Sequence, residues 1–311
     1  MSVSSMAAAP AALPQGRRRY ADPDRLWRWA TFAPALLLML LLSVLPLVNL
    51  FATSLFNVTW AGGTSTWTFV GLSHYQALPS DTLLQAGLVN TLVFAVLAVG
   101  GQMMLGFMLA YLVSRIERGR VLYRAIFILP ILIPGIVIGA IWKLMMNYDF
   151  GLLNQFIGLV GLGPHDWLGS ASTALLSVVI VDIWHWTPFC FLLFLAGLES
   201  LPQDVFEASK VDGASARQEL FYIILPMMLP TIMVTFAFRL VLAFKVFDEI
   251  YLLTGGGPGT STEVISFTLY QRFFTEDKVG YGSAMAVAVI FLICLLLVLA
   301  LGVRRRSGAL T

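Results

Sequence analysis

The chain alternates between long apolar runs and short polar joints. A helix needs about 20 apolar residues to cross a hydrocarbon core of about 30 Å. Six stretches reach that length, at about 30–51, 86–114, 121–146, 173–198, 228–252 and 283–303. No Asp, Glu, Lys or Arg occurs between Trp29 and Ser80, and the third stretch is charge-free from Ala125 to Trp142. The fourth is interrupted by Asp182, and the fifth holds Arg239, Lys245, Asp248 and Glu249. The expected fold is all-α, a polytopic membrane protein with six transmembrane helices. A tail at 1–29, with an Ala/Pro-rich part expected to lack order, precedes a membrane domain at 30–303; a short tail at 304–311 follows.

Composition agrees. Of 311 residues, 59% are hydrophobic and 12% charged, against about 25% charged in soluble domains. The same figures exclude disorder, and a net charge of +2 gives no basis for binding nucleic acid. The first apolar run is too long for a signal-peptide core and reads as an uncleaved span. Cys190 and Cys294 stand apart inside apolar runs, as buried small side chains do, and suggest neither a disulfide nor a metal site.

Basic residues set the expected orientation. Arg17, Arg18, Arg19, Arg25 and Arg28 precede the first span. Arg115, Arg118, Arg120 and Arg124 lie between the second and third. Lys210 and Arg217 lie between the fourth and fifth, and Arg304, Arg305 and Arg306 follow the sixth. All fourteen fall on one side, with only Arg272 and Lys278 in the opposite loops. Both termini are therefore expected in the cytoplasm. Aromatics in the outside loops, among them Trp60, Trp67 and Trp167, read first as interfacial anchors.

The polar joint at about 200–226 is the most patterned part of the chain. Pro202 can open a helix over 203–211. Gly213 stands where a helix stop needs a left-handed residue. Ser215, with Gln218 three residues on, can form a capping box for a second helix ending near Pro226. A helix–Gly–helix loop at the membrane surface suits docking to another protein, although an amphipathic linker would look similar.

Its residues resemble a known family. Glu207, Ala208 and Ser209, two further residues, then Asp212, Gly213 and Ala214, followed by Phe221, Ile223, Leu225, Pro226 and Pro230, are similar to the EAA loop of binding-protein-dependent ABC importer permeases. Ser209 replaces the family's second Ala. Asn90 and Thr91 at the second span fit the same family. So does the run FDEIYLLTGGGPG at 247–259 with Ser261, Thr262 and Glu263, which resembles the carbohydrate branch, the maltose-F and glycerol-phosphate-A types. The resemblance covers about 30–303 and implies the type I importer permease fold in a bacterial plasma (inner) membrane. It implies a second homologous permease, two ATP-binding subunits and an extracytoplasmic solute-binding protein as partners. It also implies that Glu207, Ala208, Ser209, Asp212, Gly213, Ala214 and Phe221 couple the chain to the ATPase. ATP and Mg would be held by the partners, with no cofactor and no catalytic or metal site in this chain. The glycine run at 255–259 lacks the Gly-Lys-Ser/Thr ending of a phosphate loop.

Charges at membrane depth are costly, about 2.5–3.5 kcal/mol each on insertion scales, so they face a cavity or a partner. Asp182 falls roughly 15 Å into the fourth span at 1.5 Å per residue. With Trp184 and Trp186 it could line a sugar passage, the rings stacking on sugar faces; helix packing is the competing reading. Lys245 can pair with Asp248 or Glu249, three and four residues on, or meet substrate. Asn147 and Tyr148 are further pathway candidates. The reading is a permease subunit for a sugar or sugar derivative working by alternating access. A permease for amino acids, peptides or ions, or a stand-alone secondary transporter, are the alternatives.

Overall fold

The computed structural model describes residues 23–116 and 118–307. Arg17, Arg18 and Arg19, the Ala/Pro-rich stretch and the end of the C-terminal tail lie outside the described residues. The elements run α1 (Pro23–Thr53), β1 (Phe56–Ala61), β2 (Thr64–Phe69), α2 (Ser73–Ala77), α3 (Thr82–Ser114), α4 (Arg120–Ile128), α5 (Gly135–Met145), α6 (Leu152–Leu159), α7 (Ala174–Glu199), α8 (Gln203–Val211), α9 (Ala216–Ala243), α10 (Asp248–Leu253), α11 (Ile265–Tyr270) and α12 (Val279–Ser307).

Contacts divide the chain into two units, Met1–Asn49 and Leu50–Thr311. The first contains most of α1, whose apolar side chains, such as Leu37, Leu41 and Val48, are exposed. A helix that is apolar all round suits lipid. In the second unit α3, α7, α9 and α12 are long and apolar enough to span; with α1 that makes five among the described residues.

The sixth expected span is not one straight helix. Residues 121–146 form α4 and α5, joined by a tight turn over Leu129–Leu132 that contains Pro130, and the two halves of the span meet at 92°. Proline removes an N–H and clashes with the preceding turn, and Pro134 forces the residue before it out of the helical region. The fifth span is also displaced from 228–252. Its helix begins at Ala216, opens with a π-helical turn over Glu219–Ile224, passes through Pro226 and Pro230, and ends at Ala243. The second helix of the 200–226 joint therefore does not stop near Pro226. Lys245, Asp248 and Glu249 fall beyond the span, at a break and in α10.

The fold is helical as expected, with one small sheet among the described residues. β1 and β2 form an antiparallel hairpin with Phe56 opposite Phe69 and Val58 opposite Trp67. Gly62 and Gly63, both with positive φ, make its two-residue turn. The expectation that both cysteines are buried fails, since Cys190 is buried and Cys294 exposed.

Within a bilayer the drive to associate is close packing, so small residues decide where helices meet. α3 packs along α7 through Gly106, where a Cβ would stand 2.6 Å from Cys190 Cβ and 3.0 Å from the Phe191 nitrogen. α5 meets α10 through a Gly-x-x-x-Gly face. A Cβ on Gly135 would approach Asp248 Oδ2 to 2.9 Å, and one on Gly139 would approach Leu252 Cβ to 2.8 Å. Phe94, Val99, Val178 and Ile250 fill one core cluster, and Val113, Phe191, Phe194 and Met228 another.

Polar ties fix the other end of the unit from the 200–226 joint. Asp81 caps α3, accepting from the nitrogens of Leu83 and Leu84 at 3.0 and 3.1 Å. Arg272 donates to both its oxygens, at 3.0 and 2.9 Å, and the Tyr281 hydroxyl donates at 2.9 Å. Burial works against the Asp81 charge, but the backbone N–H donor, the Tyr281 hydroxyl and Arg272 hold its carboxyl below the usual range. Asn90 donates to the carbonyls of Thr260 and Glu263, both at 2.8 Å, and Thr91 Oγ1 accepts from the Ile265 nitrogen at 2.9 Å. These two residues pin the loop that follows the glycine run.

Candidate functional site

Two places gather the residues singled out by the sequence. The first is the 200–226 joint. α8 ends in a Schellman motif: the Gly213 nitrogen donates to the Lys210 carbonyl at 3.1 Å and the Ala214 nitrogen to the Ser209 carbonyl at 2.9 Å. Gly213 has φ +71° with open space around it, so it is required for its backbone conformation rather than for lack of room. Ser209 is buried and its hydroxyl donates to the Phe206 carbonyl at 2.9 Å, which explains why only a small side chain fits there. Ser215 and Gln218 complete the capping box.

The remaining side chains of the motif face outward. Glu207, Ala208 and Asp212 are exposed, Ala214 is half-buried, and Phe221 is exposed beside Arg217. Val211 at 87% exposed and Tyr222 at 78% extend the same loop surface. Neither Val211 nor Tyr222 stands out in the sequence, because both look like helix-face residues. Ion pairs brace the joint from below: Arg115 with Glu219 at 2.6 Å, and Arg120 and Arg124 with Glu199.

The second place is a polar cleft of about 240 Å³, whose lining includes Asp182, His185, Trp186, Lys245, Asp248 and Glu249. It brings together five of the eight residues expected on a substrate pathway. Behind it lies a buried network joining three spans. Gln102 of α3 donates to Asp182 Oδ2 of α7 at 2.6 Å and accepts from Arg239 Nε of α9 at 2.7 Å. Arg239 Nη2 lies 3.3 Å from Asp182 Oδ2. Burying Asp182 is tolerable because its charge is paired and hydrogen-bonded. His185 Nδ1 lies 3.0 Å from Glu249 Oε1 across α7 and α10.

The expected pairing of Lys245 with Asp248 or Glu249 is not formed among the described residues. Glu249 turns inward to His185, while Lys245 and Asp248 are exposed. The helix ends at Ala243, so the four-residue spacing no longer places 245 and 249 on one helical face. Trp184, two residues from Asp182, points elsewhere, with its ring 5.6 Å from Trp142. Asn147 and Tyr148 do not line the cleft. Asn147 Oδ1 accepts from the nitrogens of Asp149 and Phe150 and holds a turn, and Tyr148 is exposed. Gln102 is absent from the residues the sequence singles out, although an amide deep in a 33-residue apolar helix is a readable sign of a buried partner.

Residues 102–307 match the model of a protein family described as binding-protein-dependent transport system inner membrane component. The chain belongs to that family. This inner-membrane component is 36% identical over 261 residues to the trehalose/maltose transport system permease protein MalF of Thermococcus litoralis, covering 84% of this chain and 87% of that one. It is 32% identical over 277 residues to the sulfoquinovosyl glycerol transport system permease protein SmoG of Agrobacterium fabrum, covering 89% and 90%. Its fold matches a chain of the bacterial alginate ABC transporter, crystallised with an alginate pentasaccharide-bound periplasmic protein. That match has a TM-score of 0.81 and 22% identity, and covers 93% of this chain and 98% of that one. As a component of this family, the chain is a multi-pass permease subunit.

Proposed function

We propose that the chain imports a sugar or sugar derivative as one permease of a four-part membrane assembly. A second, homologous permease completes the pathway, and two ATP-binding subunits dock below the pair, one of them on the exposed face of the 200–226 joint. An extracytoplasmic binding protein delivers the solute at the opposite face. Glu207, Ala208, Asp212 and Phe221 contact an ATP-binding subunit, while Ser209, Gly213 and Ala214 hold the loop in shape. ATP and Mg stay with the partners; this chain binds no cofactor and breaks no covalent bond. Both termini lie in the cytoplasm, following the basic residues at each joint.

The observation that carries this reading is the cleft beside the detached end of α9. There Trp186 offers a ring for a sugar face, and Lys245 and Asp248 offer one charge of each sign to hydroxyl groups. The sugar-handling names of two relatives support the same solute class. The test is uptake by the reconstituted assembly in sealed vesicles, with its binding protein loaded from a panel of sugars, polyols, amino acids and peptides. ATP-dependent uptake of a carbohydrate is expected. Uptake of amino acids or peptides with no carbohydrate would overturn the solute class, and uptake without ATP-binding subunits would overturn the mechanism.

A further inference from the structure

A second polar cleft lies at the end of the unit that carries the 200–226 joint, and the transport reading makes no use of it. It measures about 600 Å³ and lies between the Arg115–Arg124 region and the joint. Its lining carries Arg115, Arg120, Arg124 and Lys210 against only Glu199 and Glu219. Arg115 and Glu219 neutralise each other at 2.6 Å. Arg120 and Arg124, by contrast, converge on a single oxygen of Glu199, Oε1. One carboxylate thus serves two guanidiniums, and Lys210 on α8 adds a further cation with no ion-pair partner among the described residues. The cleft is short of negative charge by two.

Arg120 is spent on structure: it donates to the carbonyls of Ile116 and Ser114 at 3.2 and 2.6 Å as well as to Glu199. Arg124 is not. Its Nε is enclosed and has no hydrogen-bond partner among the described residues. A cleft with two uncompensated cations suits the oxygens of a phosphate, which a guanidinium can grip through two donors.

α4 shows what borders the cleft. Arg120, Arg124 and Phe127 form its inward stripe, with the Phe127 ring 5.5 Å from Phe191. Val121, Leu122 and Ile126 face outward and are exposed. The helix therefore carries arginines on one side and a lipid-compatible stripe on the other, as interfacial helices do.

We propose that this cleft binds a phosphate group on Arg124 and Lys210, joining α4 to α8. The phosphate is the phosphodiester of an anionic lipid or a soluble phosphate, and both present the same oxygens. The site does not depend on which solute the permease carries.

The test uses the purified transporter assembly. Native mass spectrometry measures retained lipid after exchange into phosphatidylglycerol or phosphatidylcholine nanodiscs, and thermal shift with inorganic phosphate is measured on delipidated material. Selective retention of phosphatidylglycerol identifies the lipid source, and a phosphate-dependent shift identifies the soluble one. Lys210→Gln, at an exposed position, should lower retention or phosphate affinity about fivefold, as should Arg124→Gln. Glu199→Gln should raise it, because the competing carboxylate charge is gone. A purely structural ion-pair cluster gives the opposite result, with Glu199→Gln losing affinity or stability as Arg124→Gln does and Lys210→Gln having no effect. That pattern, or no binding of either probe to the wild type, overturns the proposal.

Discussion

The Arg239 guanidinium lies 4.7 Å from the centre of the Trp186 ring while its Nη2 stands 3.3 Å from Asp182 Oδ2. One buried cation thus holds the cleft's aromatic wall and its deepest carboxylate together. Removing it by Arg239→Leu leaves Asp182 unpaired, which should cost about 3–5 kcal/mol. Thermal unfolding of the purified assembly would show a lowered midpoint, largely restored in the double variant Arg239→Leu/Asp182→Leu. An unchanged midpoint in the single variant would mean that the pair carries no stability.

Lys245 and Asp248 should behave differently, since both are exposed to the cleft. Lys245→Gln and Asp248→Asn should leave stability within about 0.5 kcal/mol. Uptake in proteoliposomes should fall about tenfold in each, the loss of one charge-assisted hydrogen bond. Wild-type uptake in both would remove them from the pathway.

Gly213→Asp puts a side chain on a residue with φ +71°, at a cost of about 1–2 kcal/mol in the loop. Glu207→Lys reverses an exposed charge without touching the fold. In both variants membrane insertion should be normal, while ATP hydrolysis stimulated by the loaded binding protein should be lost. ATPase assays with and without that protein decide it. Full stimulation in both would detach the loop from coupling.

Asp81 gives a pH signature. Its carboxyl is held below the ordinary range, so the native state favours the charged form. That stability is fully present above the unfolded-state pKa and disappears as pH falls through the depressed native one. Asp81→Asn should lose about 1–2 kcal/mol at neutral pH and show a flatter midpoint-versus-pH curve on the acid side. Parallel curves for the two proteins would count against the Asp81–Arg272 tie.

Close packing gives a paired test on α3. Gly106→Ala must displace Cys190 and the Phe191 backbone, whereas Gly100 has open space around it. Gly106→Ala should destabilise by about 1–3 kcal/mol, and Gly100→Ala should be neutral or slightly stabilising. Equal midpoints would mean that the two helices are not held at this distance.

Local signals in the sequence carried far. The capping box at Ser215, the helix stop at Gly213 and the apolar lengths of α3, α7 and α12 follow from nearest-neighbour physics, and each is realised. What hydropathy alone conceals is direction. Residues 121–146 have the composition of one span, yet two prolines turn the chain through 92°. The charges at 245–249 sit at spacing suited to a helix that has already ended at Ala243. Asp182 was legible as a buried charge, but its partners Gln102 and Arg239 lie 80 and 57 residues away along the chain. Only the packing of α3, α7 and α9 brings them together. The hairpin at 56–69 had a readable Gly-Gly turn, masked by the aromatic content that suggests an interfacial loop.

That α9 runs from the joint to the cleft as one helix has a mechanical meaning. Its 28 residues make a rod of about 42 Å, from the capping box at Ser215 to the break after Ala243. A tilt of about 5° about the Ser215 end carries the Ala243 end sideways by roughly 4 Å, more than a hydrogen bond can stretch. Arg239, four residues from that far end, would move with it, so the lever would swing Lys245 and Asp248 while the 200–226 end hardly shifts, and a small strain at one face becomes a large displacement at the other.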